Sequence, residues 1–94
     1  MPSKDEIIVA MEKLAIKLSM CHKNSETALF VDRELEVLKT CDGLAFHNKL
    51  QYFFNTVPVI KLSDGISFSE AEKTLWDAVF EYKQLGNYNW IASE

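Results

Sequence analysis

Glycine and proline are scarce in this chain, with three and two among its 94 residues. With 48% hydrophobic and 26% charged residues, the composition excludes a disordered or low-complexity chain and leaves a globular one. Gly43, Gly65 and Gly86 stand alone at the edges of apolar-patterned segments, so no glycine-rich loop exists to cradle a phosphate. Cysteine is as sparse. Cys21 and Cys41 form no C-x-x-C pair, and His22 and His47 no H-x-x-x-H pair, so the spacing of a zinc site is missing. The N-terminal M-P-S-K-D-E run lacks the apolar core of a signal peptide, which places the expected protein in the cytosol with reduced thiols. No apolar run approaches the roughly 18–20 residues of a bilayer crossing. Hairpin signals are absent too. The ten Lys and Arg residues stand singly in a chain of net charge −4, which argues against a nucleic-acid partner.

What the chain does contain is helical periodicity, enough for one domain and no second core. Ser3 with Glu6 makes an S-x-x-E capping box, and Ile7, Ile8, Met11, Leu14, Ala15 and Leu18 then share one face, predicting a helix over about 4–22. Asn24 and Ser25 break the pattern and cap a second helix over about 26–41. Its inner stripe is Ala28, Val31, Leu35 and Leu38, and its solvated face is Asp32, Arg33, Glu34, Glu36 and Lys39. Asp42-Gly43 is expected to end it. Phe46, Leu50, Phe53, Phe54 and Val57 predict a third helix over about 44–57, which Pro58 stops or kinks. Val59, Ile60 and Leu62 then read as an apolar connector or one bent turn. The clearest element follows: Ser67 with Glu70 and Ser69 with Glu72 are overlapping capping boxes, of which Ser69 is the preferred cap, with Phe68 pinning the incoming chain. Leu75, Ala78, Val79, Tyr82 and Leu85 continue at helical spacing to Gly86, giving a helix over about 69–85 and a tail, 86–94. The expected fold is all-α, an antiparallel up-and-down four-helix bundle with a short C-terminal tail. Leu14, Leu18, Leu35, Leu38, Leu50, Phe53, Leu75 and Val79 should share its core.

Catalytic chemistry finds little footing. Cys21 and Cys41 read as small packing groups at helix ends. The carboxylates of Glu70 and Glu72 are accounted for by capping, and those of Asp77 and Glu81 by solvation, so no acid–base pair, metal ligand or cofactor is assigned. The aromatic residues carry more. Phe54 beside Phe53, and Trp76 beside Leu75, cannot both point at the centre of a bundle, so either the tail covers part of this surface through Tyr88, Trp90 or Ile91, or an open patch binds a partner. The candidate recognition residues are therefore Trp76, Phe80, Lys83, Gln84, Asn87, Tyr88, Asn89 and Trp90.

The run Asp64-Gly65-Ile66-Ser67-Phe68-Ser69-Glu70-Ala71-Glu72, leading into a last helix and a short aromatic tail, resembles the immunity proteins for pediocin-like (class IIa) bacteriocins. In that family a D-G-hydrophobic turn, or a shorter version, precedes an apolar residue, Ser or Thr, and Glu or Gln three later. Leu50, Tyr52, Phe53, Phe54 and the Val57-Pro58-Val59-Ile60 stretch fit in type, and the resemblance covers about residues 44–90. It implies a cytosolic, non-enzymatic four-helix bundle that protects a bacterium from a specific bacteriocin. Its expected partner is the bacteriocin–receptor complex on the mannose phosphotransferase permease, met at the inner face of the membrane with peripheral membrane association. The C-terminal half would discriminate between bacteriocins. The alternative is a small regulatory or adaptor bundle, phage- or plasmid-borne, that binds a protein through its aromatic C-terminal face.

Overall fold

A computed structural model describes residues 3–84 and contains four helices: α1 (Lys4–Cys21), α2 (Glu26–Lys39), α3 (Gly43–Asp64) and α4 (Glu70–Gln84). They form an antiparallel up-and-down bundle. α1 packs against both α2 and α4, α2 packs on α3, and α3 and α4 meet along a much shorter seam.

Local chemistry sets most of the boundaries. Ser3 Oγ accepts the Glu6 N–H at 3.3 Å and starts α1, whose last turn closes when the His22 N–H donates to the Leu18 carbonyl at 2.7 Å. Asn24 takes the left-handed conformation at φ 74°, which a short polar side chain tolerates, and lets Ser25 cap α2 through the Ala28 N–H at 3.0 Å. The Asp42-Gly43 pair does not end α2. That helix stops at Lys39 with Thr40 as its cap, and Gly43, at φ 57°, opens α3 instead. The reversal is fixed by Lys4, whose ammonium reaches across from α1 to the Lys39 and Cys41 carbonyls and to Asp42 Oδ1 at 3.0 Å. A cation there answers the negative end of the α2 dipole and satisfies carbonyls that lack helical partners.

Nor does Pro58 end α3, which continues through it to Asp64, so Val59, Ile60 and Leu62 belong to the helix rather than to a connector. A proline here removes one ladder N–H. The helix persists because its far end is held on both sides. Val57 is fully buried, Ile60 packs against the core, and Asp64 accepts two hydrogen bonds from α2. Termination falls to Gly65, whose φ of 67° lets its N–H donate to the Lys61 and Leu62 carbonyls, both at 3.2 Å. Of the two overlapping starts for α4, Ser69 with Glu72 is used: each accepts the other's backbone N–H, at 3.3 and 2.9 Å.

The core is drawn from every helix: Ile7, Met11, Leu14 and Leu18, then Val31, Leu35 and Leu38, then Phe46, Leu50, Phe53 and Phe54, with Val79 from α4. Three expectations need correction. Leu75 is half-buried, because Ala10 and Ala78 leave the α1–α4 seam open beside it. Glu34, expected on the solvated face, is only 7% exposed and its Oε1 has no hydrogen-bond partner among the described residues. It lies one helical turn from Phe30 and Leu38, so the buried face of α2 is wider than its apolar stripe. Cys21 is exposed rather than packed, and Cys41 is intermediate.

Truncating Leu50 or Phe53 to Ala should cost about 2–5 kcal/mol in urea titrations, and Leu75→Ala clearly less. Equal losses at Leu50 and Leu75 would contradict this packing. Glu34→Met should raise the melting temperature, since it exchanges a carboxylate whose buried Oε1 lacks a partner among the described residues for an apolar side chain of good helix propensity. A lowered melt would mean that the carboxylate is satisfied.

Candidate recognition surface

Aromatic rings run through the bundle as one connected ladder. Starting at the α1–α2 turn, the His22 ring meets Phe68 at 5.9 Å between centroids, and Phe68 meets Trp76 edge-on at 5.2 Å. Trp76 stacks on Phe80 at 4.9 Å, one helical turn along α4, and Phe80 meets Phe54 of α3 edge-on at 5.1 Å. The contacts then pass through Phe53 to Phe30 of α2, stacked at 6.0 Å, and out to the half-exposed Tyr52. Such pairs contribute roughly 0.5–1.5 kcal/mol each beyond the area they bury. Here they bridge α3 and α4 where backbone packing is thinnest.

The outer end of the ladder is the part a partner can reach. Phe68, Trp76 and Phe80 are partly exposed, and the Lys61 ammonium lies 4.6 Å from the Phe68 ring centre and 5.9 Å from that of Trp76. Lys61, Phe68 and Trp76, together with Ile66, Lys73 and Asp77, line a shallow depression of about 450 Å³ beside the α3–α4 turn. Comparison with family models, curated proteins and solved structures finds no match for the chain. The surface is therefore judged on its own chemistry: apolar ring faces flanked by two ammonium groups and one carboxylate. Among the described residues, no group of three or more His, Cys, Asp or Glu is placed to hold a metal ion, and no helix is long and apolar enough to cross a membrane.

Of the candidate residues read from the sequence, Trp76 and Phe80 are brought together in the ladder. Lys83 is exposed in the last turn of α4, three positions after Phe80, and Gln84 is the last residue of that helix. Asn87, Tyr88, Asn89 and Trp90 lie outside the described residues, as does the expected cap at Gly86. Lys61 and His22 were not anticipated. Each stands at a helix end, and nothing in the pattern of its own helix shows which ring it will meet.

Beneath the ladder sits a polar clamp. Glu72 is buried, its Oε1 bonded to the Ser69 N–H and its Oε2 2.5 Å from His22 Nε2. The imidazole and the carboxylate are in close contact, while their N–H···O geometry falls short of a hydrogen bond. Burial alone would push the Glu72 carboxyl up, but the Ser69 amide and hydroxyl together with the His22 charge hold it below the ordinary value. Asp64 is held low as well, first by the Thr27 hydroxyl and then by the Thr27 N–H. A carboxylate depressed in the folded state stabilises fully above its unfolded pKa and loses that contribution as pH falls through the folded one. Stability should therefore decline as pH drops below about 4. In thermal melts from neutral to acid pH, Glu72→Gln and Asp64→Asn should each show a shallower decline than the parent chain. Slopes identical to the parent in both variants would refute the clamp.

Proposed function

We propose that this protein is a bacteriocin immunity protein, a non-enzymatic bundle that shields its cell from a cognate pediocin-like bacteriocin by binding at the receptor permease on the cytosolic side. The observation that carries the reading is the α3–α4 turn. The D-G turn is followed by Phe68 and by the Ser69–Glu72 capping box, on a four-helix bundle of matching size, and that turn sets Phe68 against Trp76. Rigid rings suit recognition because they offer large contact areas with few rotatable bonds to order on binding. Lys61 and Lys73 add charge at the rim, where it steers encounter and register more than it adds affinity. The rings of Trp76 and Phe80 would make the principal contacts, with the tail residues Asn87, Tyr88, Asn89 and Trp90 extending them and Lys83 and Gln84 at the margin.

The test is survival of a sensitive strain that expresses the protein and is challenged with a panel of pediocin-like bacteriocins. Deleting residues 88–94, or making Trp90→Ala or Trp76→Ala, should abolish protection while circular dichroism remains helical. Exchanging the segment from about residue 44 onward with that of another immunity protein should transfer specificity. Undiminished survival of cells with the tail-deleted and Trp76→Ala chains would place recognition elsewhere. The cysteines provide a control, since Cys21→Ser with Cys41→Ser should leave helicity and protection intact.

A further inference from the structure

On the α1 side of α4, across the helix from Trp76 and Phe80, the described residues leave the bundle open. Ala10 and Ala78 line the seam, and their short side chains leave a cleft of about 460 Å³ between Val9 of α1 and Leu75 and Tyr82 of α4. Val9 is 48% exposed, although it belongs to an otherwise apolar run. The two ends of the cleft differ in charge. Asp5 and Glu6, in the first turn of α1, lie at one end, beside Tyr82. Burial pushes the Tyr82 phenol up, and the nearby carboxylates of Glu6 and Glu81 push it further, which marks that end as acidic. Lys13, about 12 Å along α1 at the rise of a helix, sits at the other.

An open apolar floor two helical turns long, with unlike charges at its ends, has the shape into which an amphipathic helix lays its apolar stripe. We propose that the α1–α4 cleft docks a short amphipathic helix of a partner protein, with a basic residue of that helix over Asp5 and Glu6. Charge selects this occupant over the nearer ones. Residues 85–94 of the chain itself contain no Lys or Arg to answer the acidic end. A second copy offering its own cleft has only Lys13 to set against Asp5 and Glu6, and it brings a net charge of −4. This surface is separate from the ring ladder, and its use does not depend on the function proposed above.

The probe is a fluorescent peptide of about fifteen residues, long enough to be helical when bound, with Leu at i, i+3, i+4 and i+7 spacing and a Lys pair at one end. A twin carries a Glu pair in place of the Lys pair. With the full-length, isotope-labelled protein, the Lys peptide should bind in anisotropy titrations and shift the resonances of Val9, Ala10, Leu75 and Ala78. The Glu peptide should bind about tenfold more weakly, as the reversal of two exposed ion pairs implies. In the Asp5→Lys/Glu6→Lys double variant that preference should invert, and Ala78→Phe, which fills the cleft, should abolish binding of both peptides. If Ala78→Phe does not fold, the charge inversion decides alone. Absence of binding, equal affinity for the two peptides, or shifts centred on Trp76 and Phe80 would each overturn the proposal. So would binding that emerges only after residues 85–94 are removed, which would make the tail the occupant, or sedimentation showing that a dimer covers Val9.

Discussion

Two hydrogen bonds to one carboxylate hold the far end of this bundle together. Asp64 Oδ2 accepts the Thr27 N–H at 2.7 Å and the Thr27 hydroxyl at 2.6 Å, tying the last turn of α3 to the first turn of α2. Thr27 is fully buried, so its donors would be costly to leave unmade. The carboxylate also places negative charge at the positive end of the α2 dipole. Much follows from this contact. It holds α3 helical beyond Pro58, sets where Gly65 turns the chain, and thereby places Lys61 over Phe68 and Trp76.

The opposite end of α2 is secured in the same manner, by Lys4 from α1 on the carbonyls of Lys39 and Cys41. His22 and Glu72 join the end of α1 to the start of α4. Each clamp uses a side chain from a neighbouring helix to satisfy or neutralise a helix terminus. In a bundle of under a hundred residues, with a correspondingly small core, such contacts fix which helices are neighbours as well as adding stability. The α3–α4 seam has no clamp of this kind among those described. Rings hold it instead, and that leaves aromatic faces at the surface.

Features that depend on residues three or four apart were legible in the sequence. The side-chain cap at Ser3, the capping box at Ser69, the cap at Ser25, and the stripes through Leu14, Leu35 and Leu50 all appear as read, because sequence spacing is spatial spacing within one helix. What was misread depends on a remote partner. Pro58 is a local stop signal, overruled by the contact of Asp64 with Thr27, 37 positions away from it. Asp42-Gly43 reads as a stop and serves as a start, because Lys4 has already closed α2. Glu34 looks solvated by residue type, yet its position on α2 turns it inward. Leu75 falls short of the core because Ala10 stands across the seam. Of the recognition surface, Trp76 and Phe80 were legible as a pair one turn apart, whereas Lys61 and His22 reach it only through the fold.

The ring surface is contingent on the Asp64–Thr27 contact, and that dependence can be measured in a single variant. In Asp64→Ala, amide hydrogen exchange should accelerate across the first turn of α2 and across residues 59–64. The side-chain resonances of Trp76 should shift as Lys61 loses its place over the ring. Protection of α1 and of the middle of α3 should stay close to that of the parent. If exchange at residues 59–64 and the Trp76 resonances are both unchanged, α3 does not need the clamp to pass Pro58, and the central claim is contradicted.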